Sequence, residues 1–117
     1  MSNYRDFYEN ALNVEISSFF EVHHIDLNRE NNCIENLVAI PKDLHNQYHK
    51  YRGKLIDEGV YIYDCGSLLK NNRGYNSYII NQLIELNKCI DLINDYIDFR
   101  DYKLGVFPMY YSGKKYY

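Results

Sequence analysis

The chain has 117 residues, a formal net charge of −3, 46% hydrophobic and 25% charged residues. This length predicts a single domain over residues 1–117 whose core needs no disulfides, and no apolar run approaches the roughly 20 residues of a membrane span. The acidic balance argues against a strong, sequence-independent duplex binder, because such binding depends on neutralising phosphates. Three widely spaced cysteines and a start without a signal-peptide pattern predict reduced thiols and a cytoplasmic location.

The first half of the chain predicts a helix, two strands and a second helix. Residues 1–14 place aromatic and leucine side chains three or four apart, which is typical of a short helix. Residues 16–23 alternate in the way of a strand, which would end near His23. After an asparagine-rich loop, the run NLVAI predicts a second strand, and a helix follows over residues 42–54.

The second half is predicted to be mainly helical. Directly after Gly59, VYIYD suggests one more short strand, and GSLLKNNRGYN is rich in turn residues. Residues 76–102 repeat isoleucine and leucine at helical spacing with polar residues between them, which predicts a long helix. The apolar face of this helix is long for so small a core, so we expect that it could form a homodimer.

All four histidines lie within residues 21–50. On the predicted helix, His45 and His49 share one face with Cβ atoms roughly 5–6 Å apart, from which two imidazoles can bind one metal ion. His23 could supply a third ligand, while His24 points to the opposite face of its strand. Three ligands with an open position are typical of catalytic metal sites, and a neighbouring imidazole is well placed as a general base. The alternative interpretation of the helical pair is a solvated polar face.

The segment HHIDLNRENNCIENLVAIPKDLHNQYH resembles the HNH, or ββα-metal, endonuclease motif. That motif has a histidine doublet ending its first strand, an asparagine opening its second strand, and one or two histidines on the following helix. The HxxxH spacing on the helix is similar to that of the nuclease colicins. The resemblance implies an α+β fold: a β-hairpin plus helix over about 15–55, a flanking N-terminal helix, and a helical C-terminal extension over about 60–117.

Roles for individual residues follow from the resemblance. His23, His45 and His49 would bind a divalent metal ion, with contact to phosphate as the alternative role of His49, as in other HNH enzymes. His24 would take a proton from the attacking water, and Asn36 would brace the loop and orient His24 through its backbone carbonyl. Imidazole ligands suit zinc, nickel or manganese, whereas the family often uses magnesium, so all four ions stay open.

The implied activity is metal-dependent hydrolysis of phosphodiester bonds in nucleic acid, with DNA as the expected substrate. Arg29, Lys50 and Arg52 belong to a locally basic region and would contact the nucleic acid. The chain would then be an endonuclease of phage, mobile-element or defence origin.

Three alternatives stay open. The chain could be a non-cleaving binding protein on an HNH scaffold, such as a phage-type inhibitor that binds a nucleotide or a host protein, as the acidic balance favours. Cys33 could close the metal site as a fourth ligand and make it structural. The loop residues Asp26, Asn28, Asn31 and Asn32 either only set its turns, or Asp26 or Asn28 also helps to position metal-bound water.

Overall fold

The computed structural model of the chain describes residues 4–62, 65–71 and 74–105. Its elements in chain order are α1 (Tyr4–Leu12), β1 (Phe20–His24), a 3₁₀ turn (Ile34–Asn36), β2 (Leu37–Pro41), α2 (Lys42–Asp57), α3 (Cys65–Lys70) and α4 (Ser77–Leu104). A β-hairpin followed by a helix, with an N-terminal helix and a long C-terminal helix, confirms the predicted α+β fold class.

The two strands pair in antiparallel register, with His23 opposite Val38 and His24 opposite Leu37. β1 begins at Phe20, later than the predicted start at residue 16, because a turn precedes it: the Phe20 amide donates to the Ser17 carbonyl at 3.0 Å. The predicted strand start was therefore wrong, although the strand does carry the histidine doublet at its end.

The second strand also starts later than predicted. The prediction placed Asn36 at the opening of this strand, but Asn36 ends the 3₁₀ turn, and β2 starts at Leu37. The Asn36 amide donates to the Cys33 carbonyl at 2.9 Å, which is the hydrogen bond of such a turn. The turn holds the Asn36 side chain inside the loop, where it is 8% exposed.

Two further predictions in the second half need correction. GSLLKNNRGYN was predicted to be turns, but Cys65–Lys70 forms helix α3, because Leu68 and Leu69 pack against a buried cluster. Of the predicted strand VYIYD, residues 60–62 form no strand, and Tyr63 and Asp64 lie outside the described residues.

The end of α2 explains why Val60 is buried without belonging to a strand. Gly59 has a φ of 76°, a left-handed conformation that glycine adopts without steric cost. The Val60 amide donates to the Leu55 carbonyl at 2.9 Å and the Gly59 amide to the Ile56 carbonyl at 2.9 Å, the two hydrogen bonds of a Schellman cap. Val60 and Leu55 then share one apolar cluster.

The described chain divides into two compact units. The first comprises the described residues up to Lys42 and those from Ile93 onward, and the second comprises Asp43–Leu92. Each has its own apolar core. The first core contains the buried residues Tyr8, Leu12, Val22, Leu37 and Ala39. The second contains Leu55, Val60, Cys65, Ile79, Leu83 and Leu86.

Arg100 connects the C-terminal part of α4 to the β-hairpin within the first unit. Its side chain is 7% exposed and forms an ion pair with Asp101 at 2.9 Å. Its Nη1 donates to three main-chain carbonyls, those of Ile34, Glu35 and Leu37, at 3.3, 2.8 and 3.0 Å. One buried guanidinium therefore holds the 3₁₀ turn that carries Asn36.

The second unit is organised by one face of α2. Tyr48 and Tyr51 pack against the cluster that contains the fully buried Leu55, and the spacing of these three residues is that of one apolar helix face. The Cys65 thiol donates to the Leu83 carbonyl at 2.9 Å, and burial raises the pKa of the Cys89 thiol. No helix in the described part of the chain is both long and apolar enough to cross a membrane.

Candidate metal and catalytic site

Three histidines form a group that could hold a metal ion. One ligand nitrogen from each of His23, His45 and His49 lies within 4.8 Å of the other two. His23 is 3% exposed, whereas His49 lies on the surface. The three imidazole nitrogens that form this group among the described residues fit zinc or nickel better than magnesium or manganese, which prefer oxygen ligands. The donor set is therefore compatible with a divalent metal ion, as predicted.

The α2 pair has the geometry that its spacing of four residues predicts. The Nε2 atoms of His45 and His49 are 3.0 Å apart, and the rings meet edge to face with centroids 4.6 Å apart. The Tyr48 ring contacts His49 with a centroid distance of 5.3 Å. In a contact of this kind one imidazole donates and the other accepts, so binding of both nitrogens to an ion would displace the proton between them.

His24 is not a member of the group of three histidines and has contacts of its own. The residue is 7% exposed, and its Nε2 lies 2.8 Å from Oδ1 of Asn32. The Tyr4 ring, from α1, meets the His24 ring edge to face at a centroid distance of 4.9 Å. The doublet therefore combines one imidazole in the candidate metal group with a second imidazole held by a separate set of contacts.

The chain turns sharply directly after His24. The Asn36 carbonyl accepts the Ile25 amide at 2.8 Å, and the Leu27 amide donates to the His24 carbonyl at 3.0 Å. Leu27 has a φ of 66°, in the left-handed region that costs a residue with a Cβ roughly 1–2 kcal/mol. The Asn36 carbonyl thus fixes the backbone next to His24. The His24 ring itself contacts Asn32 and Tyr4.

The Asn36 side chain is the centre of the loop's hydrogen bonds. Its Oδ1 accepts the Asp26 amide at 2.9 Å. Its Nδ2 donates to Asp26 Oδ1 and to the Asn31 carbonyl, both at 2.8 Å. The loop between the strands is therefore closed around one buried amide.

Asp26 completes this arrangement from the other side. Its Oδ2 accepts from Asn31 Nδ2 at 2.9 Å and its Oδ1 accepts the Asn28 amide at 2.8 Å. Hydrogen bonds from Asn31 and then from the Asn28 amide lower the pKa of the Asp26 carboxyl. These contacts support the interpretation that Asp26 and Asn28 set the turns of the loop. Cys33 is exposed and is not in the metal-ligand group found among the described residues.

The predicted nucleic-acid-binding residues lie on two elements. Arg29 is an exposed residue of the loop between the strands, while Lys50 and Arg52 lie on α2. The Lys50 ammonium lies 5.3 Å from the centroid of the Tyr51 ring. Burial raises the pKa of the Tyr48 hydroxyl, and the positive charge of Arg52 partly offsets that rise.

The sequence analysis did not predict the contacts that three residues make with this region. Asn32 is one of several asparagines in its loop, and no pattern distinguishes it from Asn28 or Asn31. Tyr4 and Arg100 reach the motif from distant parts of the chain, so no local spacing could identify them. Covariation of Tyr4 or Arg100 with loop residues, seen in an alignment of related sequences, is the signal that could identify such distant contacts.

Comparison with known proteins agrees with this geometry. Residues 15–47 match the family model described as HNH endonuclease. The match includes both strands, the loop and the first turns of α2 with His45, and His49 lies beyond its end. No curated protein and no solved structure matches the chain. Over residues 15–47 the chain therefore matches an HNH endonuclease domain, and the structure there has the strand–strand–helix order of a ββα motif.

Proposed function

We propose that the protein is a metal-dependent endonuclease that hydrolyses phosphodiester bonds in nucleic acid, with DNA as its main substrate. The observation that supports this proposal most directly is that the two histidines of the doublet have different surroundings. His23 lies with two other histidines in a group that could hold a metal ion, while His24 has separate contacts with Asn32 and Tyr4. A site that only bound a metal for stability would not need this second, separately held imidazole.

In this proposal His24 is the general base. It would accept a proton from the water that attacks phosphorus, a role that typically contributes about 10²–10⁴ in rate and suits imidazole near neutral pH. Asn36 keeps the loop closed, so that His24 stays at a fixed position at the end of β1. A divalent ion bound by His23, His45 and His49 would supply positive charge to the phosphate oxygens.

Arg29, Lys50 and Arg52 would bind phosphates on either side of the scissile bond. Three such contacts on a chain of net charge −3 predict modest affinity that falls as salt rises, with a log–log slope of about −2.7 for duplex DNA. The slope tests whether these three residues contact phosphates. Charge reversal of one of them should lower the magnitude of the slope by about one unit.

Cleavage of defined substrates tests the proposal. Supercoiled plasmid, single-stranded DNA and RNA are each incubated with the full chain in magnesium, manganese, zinc or nickel. We expect nicking of the plasmid with at least one ion and about a 100-fold or greater loss in His24→Ala. The same variant should retain its bound metal, because His24 lies outside the candidate ligand group.

Absence of cleavage for every substrate with every ion would overturn the endonuclease proposal. If the inactive chain still bound an oligonucleotide or a nucleotide, that result would favour the non-cleaving binding protein. Equal loss of metal in His24→Ala and His45→Ala would show that the division of the doublet was wrong.

Three other predictions are independent of this activity and stay predictions. They are the homodimer through α4, the cytoplasmic location and the phage or mobile-element origin. On α4, Ile84 and Leu92 are 38% and 51% exposed, and sedimentation of the full chain would test whether this helix associates.

A further inference from the structure

We propose that Asn32 is a positioning residue for His24, and that its amide oxygen selects the tautomer of the neutral ring that carries its proton on Nε2. Nδ1 would then be the nitrogen that accepts the proton from water. This inference rests on the proposed function for its catalytic meaning, whereas the hydrogen bond itself can be measured without any substrate.

The chemistry follows from the atoms that meet. Oδ1 of Asn32 lies 2.8 Å from Nε2 of His24, and a carboxamide oxygen can only accept a hydrogen bond. Nε2 must therefore be the donor. A neutral imidazole has one N–H, so Nδ1 keeps its lone pair. The ring is 7% exposed, and loss of the Asn32 oxygen would leave a largely buried N–H without its acceptor.

The loop fixes the position of Asn32 through its neighbours in the chain. On one side, the Asn31 carbonyl accepts from Asn36 Nδ2 at 2.8 Å and the Asn31 side chain donates to Asp26 at 2.9 Å. On the other side, the Cys33 carbonyl accepts the Asn36 amide at 2.9 Å. The residue that contacts His24 is therefore held between two anchored residues.

Tyr4 restricts the same ring from α1. Its edge-to-face contact, at a centroid distance of 4.9 Å and an interplanar angle of 71°, limits rotation of the imidazole but cannot choose between its two nitrogens. Of these two contacts, the one with Asn32 distinguishes Nε2 from Nδ1. The two contacts therefore have separate consequences: Tyr4 affects ring orientation, and Asn32 affects the site of protonation.

Nitrogen-15 NMR of the full chain tests this assignment directly. The spectra are recorded at a pH where the ring is neutral, first in EDTA and then with zinc, which is diamagnetic. We expect wild-type His24 to show a protonated Nε2, an unprotonated Nδ1 and a slowly exchanging Hε2 signal in both conditions. Asn32→Ala should lose the slow Hε2 signal and shift towards a mixture of tautomers.

Two further variants separate the oxygen from general loosening of the loop. Asn32→Asp keeps an acceptor oxygen at the same position and should retain the protected Hε2. Asn28→Ala removes an exposed side chain that accepts the Glu30 amide at 3.0 Å and should also retain it. Unchanged amide signals across the β-hairpin would show that each variant is folded.

Kinetics give the second readout. Asn32→Ala should lower kcat by about 10-fold to 100-fold, the range typical of residues that orient a functional histidine. Its KM and its affinity for the metal should stay within about 2-fold of wild type, because Asn32 is outside the candidate ligand group and its proposed effect is on proton transfer alone.

Three results would overturn the inference. They are a wild-type His24 protonated on Nδ1, an unchanged Hε2 signal in Asn32→Ala, and loss of that signal when zinc is added, which would make His24 a metal ligand. Absence of all cleavage with the predicted spectra would instead overturn the endonuclease proposal and leave the Asn32–His24 hydrogen bond established.

Discussion

The loop between the strands and the histidine face of α2 contribute to the candidate site in different physical ways. In the loop, the buried Asn36 amide and the Asp26 carboxylate each make three hydrogen bonds with groups of the loop itself. On α2, His45 and His49 contact each other on a partly exposed helix face. The loop is therefore organised by hydrogen bonds within the chain, whereas we expect the geometry of the helical pair to depend on a bound ion.

The largest expected effect comes from Arg100, which supports the loop from α4. Arg100→Met would leave three main-chain carbonyls without this donor and Asp101 without its partner. Because breaking a buried, hydrogen-bonded charge pair typically costs 3–5 kcal/mol, we expect the free energy of unfolding to fall by about 3 kcal/mol in urea titrations.

A matched control is available on the same helix. Lys88 pairs with Glu85 at 3.2 Å, and both side chains are largely exposed. Lys88→Met removes the same charge and should change stability by less than about 0.5 kcal/mol. Equal effects of the two substitutions would mean that Arg100 does not organise the loop.

A somewhat smaller effect is expected at the centre of the loop. Asn36→Ala removes the acceptor of the Asp26 amide and two donors. Each buried group left unsatisfied costs about 1–3 kcal/mol, partly recovered by water, so we expect a total loss of about 2 kcal/mol. The loss should be the same in EDTA and in zinc, because the loop requires no ion.

The exposed Asn46 of α2 provides the control, since Asn46→Ala should stay within about 0.5 kcal/mol of wild type. If the Asn36 variant lost stability only when metal was present, the loop would not be organised by the chain alone.

For the helical pair His45 and His49, the effect of a substitution on stability should depend on metal. His45→Ala should leave stability in EDTA nearly unchanged but remove most of the stabilisation by the ion, which is about 2.7 kcal/mol at an ion concentration 100 times its Kd. Thermal unfolding with and without zinc measures both quantities. A stabilisation by zinc that survives in His45→Ala would refute this histidine as a ligand.

The smallest effect concerns the pH dependence of the loop. Hydrogen bonds from Asn31 and from the Asn28 amide lower the pKa of Asp26 below its ordinary value of 3.8. A depressed folded pKa stabilises the protein above pH 3.8, and this stabilisation is lost as the pH falls through the folded pKa. In Asn31→Ala, carbon-13 titration of the Asp26 carboxyl should give a midpoint closer to 3.8. A wild-type midpoint at or above 3.8 would contradict the hydrogen-bonded loop.

Much of the motif could be predicted because its signals are local. The turn-rich loop, the spacing of His45 and His49, and the repeats of α4 each follow from periodicity or turn chemistry over a few residues. The errors had two causes. β1 starts late because a local turn at Ser17 precedes it. The turn-rich segment forms helix α3, where Leu68 and Leu69 pack against a core built from distant parts of the chain.

The strand–strand–helix order of the motif, the histidine doublet at the end of a strand and the HxxxH face of a helix could be predicted from local sequence, because they depend on the repeat of the backbone. The contacts between side chains could not, because they depend on the tertiary fold. It brought Asn32 and Tyr4 to the ring of His24 and Arg100 to the turn before β2. Such contacts depend on how the chain folds back on itself, and no spacing along the sequence contains that information.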